Sequence, residues 1–523
     1  MRRQFVLIGG GQTSVSAART LRRLGFDGHI IIVSEESIAP YQRPPLSKEY
    51  LQGESDKEEI WAAALDWYSA NDVELRLHSR VARINTGNLD VELEDGTHLV
   101  ADAVLLATGG RPRRLDGVDD ALVRYLRNIE DSDQLREEIT KDSHVVVVGA
   151  GFIGSEVAAS ARALGAKVTM LEAMNTPLQK VLGPEIGEVC ARMHRENGVD
   201  LRCEVSVETV SEKGGKKLVK LSTGDTLEAD LVVVGIGIEP NDQIARASEI
   251  TVGNGIRVDE FCRTSAEGVF AAGDVANHYH PLYDRRMRVE HFDNATRQGA
   301  VAAKNMMGIR TVYDDPHWFW SDQYDHNLQY AGYADKWDDI VIRGSLEEMD
   351  FTAFYMVDGK IGAAFAVDRG ADVMMAKTFI AEQIKVDPAM LRDEDADLQD
   401  ILSSKEREAE PESAADAPES EGEYLKAARS GQIGEGMVRR FVVGDVELAI
   451  ARSKGKAYAV HNLCTHLACH LASGKVEDDC LTCLCHGSMF ELETGIPVNP
   501  PATKPVRTYP VREMNGHIYV KVN

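Results

Sequence analysis

The stretch "HVVVVGAGFIGSEVAASARALGAKVTMLEA", residues 144–173, decides how the chain is read. Its four consecutive valines make a buried strand. The strand meets Gly149-x-Gly151-x-x-Gly154, a helical pattern follows, and a second apolar run ends at Glu172. Each part has a physical task. The glycines permit a tight turn, let backbone approach a pyrophosphate, and let the helix close on the strand. The helix start offers free N–H groups and a partial positive charge to that pyrophosphate. Glu172 lies 23 residues beyond Gly149, near the ~20 at which a carboxylate meets ribose hydroxyls. The segment is a dinucleotide-binding strand–helix–strand unit. Its acid favours NADH over NADPH, because it would repel a 2′-phosphate and only Lys180 follows nearby as a cation.

A second, less complete version of the pattern lies near the start. In "FVLIGGGQTSVSAARTLRRLG" (5–25) an apolar strand meets Gly9-Gly10-Gly11, then a helix carrying Val15, Ala18 and Leu21. The third small position is Ser14, where glycine or alanine is usual. The next strand, "HIIIVSEE" (29–36), ends at Glu35 and Glu36, either of which can accept ribose hydroxyls. Two Rossmann-type units imply two dinucleotides, a tightly held flavin and a diffusible nicotinamide.

Further motifs carry a family resemblance. "PYQRPPLSKEYL" (40–51), "LLATGGRPRRL" (105–115), "VVGIGIEPN" (233–241), "GVFAAGDVA" (268–276) and "FWSDQYDHNLQYAG" (319–332) stand in this order. Over roughly residues 3–390 the chain resembles the ferredoxin-reductase branch of the flavoprotein disulfide reductases. That branch includes putidaredoxin reductase, reductases of aromatic-ring dioxygenases and apoptosis-inducing factor. The resemblance implies an FAD-binding domain at 1–115 and 240–315, an NAD-binding domain at 116–239 and an α+β C-terminal domain at 316–392. It places Gly9, Gly11, Ser14 and Glu35 on the ADP part of FAD. Arg43 and Lys48 fall beside the flavin, with Lys48 near N5, where its charge would favour a negative flavin. Ala107, Thr108 and Gly109 pass under the pyrophosphate. Val81 and Arg127 also contact FAD, and Asp274, after Gly273, bonds the ribityl chain. Glu290 and His291 meet the ring edge, and Trp320 covers a flavin face. On the nicotinamide side it implies Gly149, Gly151, Phe152, Ile153, Gly154, Glu172, Lys180, Gly235 and Gly237, with Glu156 orienting the amide. Lys48 and Glu156 are the catalytic candidates. One departure matters. The disulfide reductases need a C-x4-C pair in the first half, and this chain has no cysteine before Cys190. That absence argues against thiol–disulfide chemistry at the flavin, so electrons are expected to leave another way.

Composition sets outer bounds. The chain has 523 residues, enough for three or four domains, and a net charge of −26, which argues against nucleic acid as a partner. Between Asp393 and Glu423 thirteen acids face two bases, so −11 of that charge sits in one segment. This Ala-, Ser- and Pro-rich run, 393–423, is expected to be a flexible acidic linker. No apolar run reaches the ~18 residues of a membrane span. With a strand beginning at Phe5, no leader peptide is expected, and the expected compartment is cytoplasmic. Five of eight cysteines fall between Cys464 and Cys485, while Cys190, Cys203 and Cys262 are scattered and read as packing. Clustered cysteines in that compartment point to metal or redox work before structural disulfides.

From residue 424 to 523 short β-like runs alternate with turns, as in a small all-β domain. Within it lie Cys464-x-His466, sixteen residues, then Cys483-x-x-His486. Two cysteines and two histidines can hold zinc or a [2Fe–2S] cluster. Zinc sites usually pair like ligands, whereas here each loop offers one sulfur and one nitrogen. That suits a cluster with both cysteines on one iron and both histidines on the other. "CTHLAC" and "CLCHGS" closely resemble the Rieske fold of cytochrome bc complexes. The resemblance implies that Cys469 and Cys485 form a disulfide bracing the cluster loops. Ser488 could bond a cluster sulfur, and Phe490 stands where the bc proteins carry tyrosine, which implies a lower potential than theirs. The fold class expected is therefore multidomain. It comprises two Rossmann-type α/β domains and an α+β reductase domain, then an all-β Rieske domain. The function expected is electron transfer from NADH through FAD to the Rieske cluster, and on to an external redox protein such as an oxygenase component. Two alternatives stand beside it. One is a reductase for a quinone, small-molecule or haem-protein acceptor. The other is a redox-sensing interaction protein like apoptosis-inducing factor.

Overall fold

The computed structural model describes residues 2–398, 420–421, 423–466, 469–477, 479–483, 488–499 and 502–522. The chain divides into two compact units, the first comprising residues 1–369 and 376–394. In the first unit, Gln4–Ile8 lies at the centre of a five-stranded parallel sheet. Its order is Val269–Ala271, Ala103–Leu106, Gln4–Ile8, His29–Val33, Val73–Arg76. The run "FVLI" is buried on both faces, which is why it reads as continuous rather than alternating apolar sequence. Helix α1 (Gln12–Arg23) follows the glycine turn. The valine strand His144–Val148 occupies the equivalent place in a four-stranded parallel sheet, between Lys167–Leu171 and Leu231–Val234, and is followed by helix α2 (Phe152–Ala163).

Two crossings join these sheets, and they are tied together. Gly110–Pro112 pairs antiparallel with Ile238–Pro240, and Thr108 Oγ1 donates to the Asn241 carbonyl at 2.7 Å. Helix α3 (Gln179–Glu196) is kinked at Gly183–Pro184. Helix α4 (Phe292–Met306) packs on α1 so closely that a Cβ at Gly299 would stand 2.5 Å from the Thr13 carbonyl oxygen. That approach places Gln298, whose Oε1 accepts the Gly273 N–H at 2.9 Å and so fixes the turn that presents Asp274. Beyond α4 comes a five-stranded antiparallel sheet, ordered Trp318–Gln323, His326–Gly332, Lys360–Val367, Asp350–Val357, Asp339–Ser345.

The second unit, from Asp395 onward and including 370–375, is built from antiparallel strands. Among the described residues they form three four-stranded sheets, one of them Lys475–Glu477, Cys480–Thr482, Met489–Glu491, Pro497–Asn499. Most of the acidic segment, residues 399–419, lies outside the described residues. No helix among the described residues is long and apolar enough to cross a membrane.

Candidate active site

A cavity of about 1570 Å³ opens in the first unit. It exceeds the ~300–1,000 Å³ of ordinary small-molecule sites, as two dinucleotides require. From the N-terminal sheet and its partners its wall takes Gly9, Gly11, Glu35, Arg43, Lys48, Val81, Ala107, Thr108, Gly109, Arg127, Asp274, Glu290, His291 and Trp320. From the other sheet it takes Gly151, Phe152, Ile153, Glu156, Lys180, Gly235 and Gly237. Ser14, Gly149, Gly154, Gly273 and Glu172 lie behind this lining. Three of these are glycines used for close packing. A Cβ at Gly149 would sit 2.5 Å from the Gly235 oxygen, one at Gly154 2.0 Å from the Gly149 oxygen, and one at Gly273 2.3 Å from Thr13 Oγ1. Ser14 is fully buried inside α1, which a small side chain permits.

The glycine turns fit dinucleotides. At Gly9, with φ +124°, a Cβ would stand 2.1 Å from the Ala107 oxygen, so only glycine allows that approach. At Gly11 and Gly151 a Cβ would meet nothing within 4 Å, because both face open space. They precede α1 and α2, and neither helix start has a side-chain cap. Uncapped N–H groups at two helix starts are what a pyrophosphate needs.

The two acids at the end of the second strand have separate fates. Glu36 is committed inside the body, taking an ion pair from Arg43 at 2.5 Å and a hydrogen bond from the Tyr41 hydroxyl at 2.6 Å. Glu35 stands exposed at the rim, 3.6 Å from Arg80 Nε, and is the one open to a ribose. In the second unit of the pattern Glu172 supports the turn itself. Its two oxygens accept the backbone N–H groups of Ala150 and Met174, each at 2.8 Å. One acceptor position on each oxygen is left for ribose hydroxyls.

The wall carries an ordered set of charges. Arg43 donates to the Arg127 carbonyl at 2.7 Å, and Arg127 pairs with Asp274 at 2.8 Å. Arg288 pairs with Glu290 at 2.5 Å, while burial pushes the Glu290 carboxyl above its usual range. Burial also lowers His291 to about 4, so the ring, stacked on Phe319 at 3.9 Å, is neutral at neutral pH. Trp320 stacks on Trp318 at 5.4 Å.

Lys48 and Glu156, one from each side of the cavity, are in direct contact. Lys48 Nζ lies 2.9 Å from Glu156 Oε2, and both side chains are buried. Ser47 donates to the same oxygen at 2.5 Å and Ser321 donates to Oε1 at 2.7 Å. A buried carboxylate is thus held by one cation and two hydroxyls. Next to it, Ser155 meets His194 Nε2 at 3.1 Å, and His194 Nδ1 meets the Tyr324 hydroxyl at 2.8 Å. Burial takes His194 to about 4. Sequence reading missed Ser47, Ser321, Arg288 and His194, although both serines lie within the motifs at 40–51 and 319–332.

In the second unit Cys464 and Cys483 are buried in one apolar cluster with Leu471 and Phe490. Each follows a strand, Lys456–His461 and Cys480–Thr482, and is held by a backbone bond. Cys464 N–H donates to the Cys469 carbonyl at 2.8 Å, and Cys483 N–H to the Ser488 carbonyl at 2.7 Å. Ser488 Oγ accepts the Ala502 N–H at 2.9 Å, leaving its own proton to donate. His466 is half-buried two residues beyond Cys464. Cys469 is disulfide-bonded. Its expected partner Cys485, and the fourth ligand candidate His486, lie outside the described residues. Two buried sulfurs in one apolar cluster are a donor set that fits an iron–sulfur cluster.

Two dinucleotide turns on one cavity, with a cysteine–histidine domain beyond, define a flavin-dependent pyridine nucleotide oxidoreductase that carries an iron–sulfur module. Comparison with known proteins makes this specific. Residues 3–299 match the model of the pyridine nucleotide-disulphide oxidoreductases, 318–402 that of the reductase C-terminal domain, and 423–510 that of the Rieske [2Fe-2S] domain. The ferredoxin–NAD(+) reductase component of the anthranilate 1,2-dioxygenase system of Burkholderia cepacia is 39% identical over 402 residues. That is 76% of this chain and 99% of the relative. Putidaredoxin reductase CamA of Pseudomonas putida is 36% identical over 411 residues, 77% of this chain and 97% of the relative. The reductase in the covalent putidaredoxin reductase–putidaredoxin complex superposes with a TM-score of 0.75 at 35% identity, covering 78% of this chain and 99% of that one. The chain belongs to the pyridine nucleotide-disulphide oxidoreductases, in the ferredoxin–NAD(+) reductase branch, with a C-terminal Rieske domain. Its cofactors are FAD, NAD(H) and a [2Fe–2S] cluster.

Proposed function

We propose that this chain passes electrons from NADH through FAD to its own Rieske cluster, and from there to an external redox protein, an oxygenase component first among candidates. When bound, FAD would supply a two-electron acceptor for the hydride of NADH that can release electrons singly, and the [2Fe–2S] cluster would supply a one-electron carrier. The observation that carries the reading is the joining of Lys48 and Glu156 in the cavity wall, on a chain that also carries two buried cluster sulfurs. The α1 start and Gly9–Gly11 hold the FAD pyrophosphate, Glu35 its adenosine ribose, and Asp274 its ribityl chain. Arg43, Arg127 and Lys48 supply positive charge along it. The α2 start and Gly151 hold the NADH pyrophosphate, with Glu172 on the ribose, and Glu156 fixes the nicotinamide amide. Cys464, His466, Cys483 and His486 hold the cluster, braced by a Cys469–Cys485 disulfide. The domain limits read from the sequence, the covalent link across 393–423 and a cytoplasmic setting belong to the same proposal. The oxygenase acceptor is supported by the names of relatives, several of which are reductase components of dioxygenase systems.

Two outcomes follow. NADH should give the higher kcat/KM, and Glu172→Ser with Ala173→Arg should shift preference toward NADPH by relieving repulsion and adding a phosphate partner. Equal kcat/KM for the two nucleotides in the unaltered protein would refute the assignment of Glu172. Cys483→Ser should abolish the Rieske paramagnetic signal and reduction of an oxygenase component, while FAD content and NADH-driven flavin bleaching persist. If the variant still reduces that component at the original rate, electrons leave from the flavin and the proposed route is wrong.

A further inference from the structure

Three histidines outside the groups assigned above meet in the interior of the first unit. His278 and His280 alternate on the strand Ala276–His280, so both rings leave the same face. His317 immediately precedes the strand Trp318–Gln323. The residues are 1%, 0% and 5% exposed. One ring nitrogen from each lies within 4.8 Å of the other two. Ring centroids are 5.4 Å apart for His278–His280, 4.8 Å for His280–His317 and 5.6 Å for His278–His317.

Their hydrogen bonding is incomplete. Both ring nitrogens of His278, both of His317 and Nδ1 of His280 are buried without a hydrogen-bond partner. A buried polar atom left unsatisfied costs about 1–3 kcal/mol, and one ion bound by a nitrogen from each ring would satisfy three of these five. The one bond present is informative. His280 Nε2 lies 2.9 Å from the Asp315 carbonyl, which can only accept. Nε2 therefore carries the proton and Nδ1 the lone pair. Metal-bound imidazoles are held this way, with the far nitrogen donating to a carbonyl or carboxylate.

We propose that His278, His280 and His317 bind one divalent first-row transition ion, zinc foremost, at a site separate from the iron of the Rieske domain. All-imidazole donors suit zinc, copper, nickel and iron and disfavour magnesium and calcium. Tetrahedral zinc at about 2.0–2.1 Å from each nitrogen spaces its ligands about 3.4 Å apart, so the rings need to close by up to about 1.4 Å. Three protein ligands leave a fourth position for water. The ion would staple the strand leading to Glu290 and His291 to the start of the sheet bearing Trp320. His317 also lines the flavin cavity, so the staple would stiffen that wall.

The test uses the full chain, purified without chelator and loaded with FAD and cluster. Elemental analysis should find about one zinc per chain beyond about two irons, and His280→Ala should lose the zinc but keep iron and FAD. Should His280→Ala fail to fold, the unaltered protein decides. After chelation and dialysis it should take up about one equivalent of zinc and melt at a higher temperature, with a zinc X-ray absorption edge reporting nitrogen and oxygen ligands alone. Sulfur in that shell would move the ion to the cysteines and overturn the proposal. So would less than about 0.1 zinc per chain, with neither uptake nor a change in melting at tenfold excess zinc.

Discussion

Severing the chain near Pro411 is expected to leave NADH-driven flavin reduction unchanged and to slow cluster reduction up to about a thousandfold at micromolar protein. The two half-reactions depend on different parts of the chain. The dinucleotide turns, Lys48, Glu156 and Asp274 all precede residue 390, so the first half-reaction has no need of the tail. Cluster reduction needs the two units together. A covalent connection through 393–423 holds one at an effective concentration on the order of millimolar relative to the other, and a cut replaces that with the bulk concentration. The cleavage can be made at an inserted protease site and followed by rapid mixing at several protein concentrations. Cluster reduction should become proportional to concentration after the cut. A rate that stays high and independent of concentration would mean that the link has no kinetic role.

Lys48→Met should slow flavin reduction by NADH about 10²- to 10³-fold, the scale of a lost preorganised charge. Lys48 Nζ is the cation buried against Glu156 in the cavity wall. Without it, the negative charge that arrives with the hydride meets an uncompensated carboxylate rather than a neutralised pair. Stability suffers for the same reason. Removing one member of a buried ion pair costs about 3–5 kcal/mol, because the other stays charged and buried. The double variant Lys48→Met with Glu156→Gln separates the two effects. It should recover melting temperature, since Ser47 and Ser321 can still bond the amide, but not the rate. Stopped-flow measurement of flavin bleaching, with FAD content checked, reads the first effect, and thermal unfolding the second. An unaltered bleaching rate in Lys48→Met would remove Lys48 from the chemistry.

The sequence made some of this legible for definite reasons. Glycine turns are written locally, because Gly9 and Gly149 need positive φ and Gly154 needs a missing Cβ, and those needs recur at fixed spacing. The parallel strands announce themselves as apolar runs, since both faces are covered. The proposed cluster ligands were legible because Cys464-x-His466 and Cys483-x-x-His486 each put a sulfur and a nitrogen within a few residues. What escaped was long-range. Ser321 lies 165 residues from the carboxylate it supports, and Lys48 lies 108 residues from it. Spacing alone left Glu35 and Glu36 both open and the family resemblance pointed to Glu35; Arg43 and Tyr41 engage Glu36, which leaves Glu35 as the exposed acid at the rim. Likewise His278 and His280 look like ordinary strand residues until His317 arrives from the next sheet.

Electrons taken from NADH are expected to reach the chain's own cluster. The most direct test mixes the oxidised full-length protein anaerobically with one equivalent of NADH, freezes samples through the turnover time, and records the Rieske paramagnetic signal beside the flavin absorbance. Flavin bleaching should be followed by a cluster signal approaching one spin per chain, within a time compatible with turnover. A flavin that bleaches fully while the cluster stays oxidised, with no external acceptor present, would contradict it.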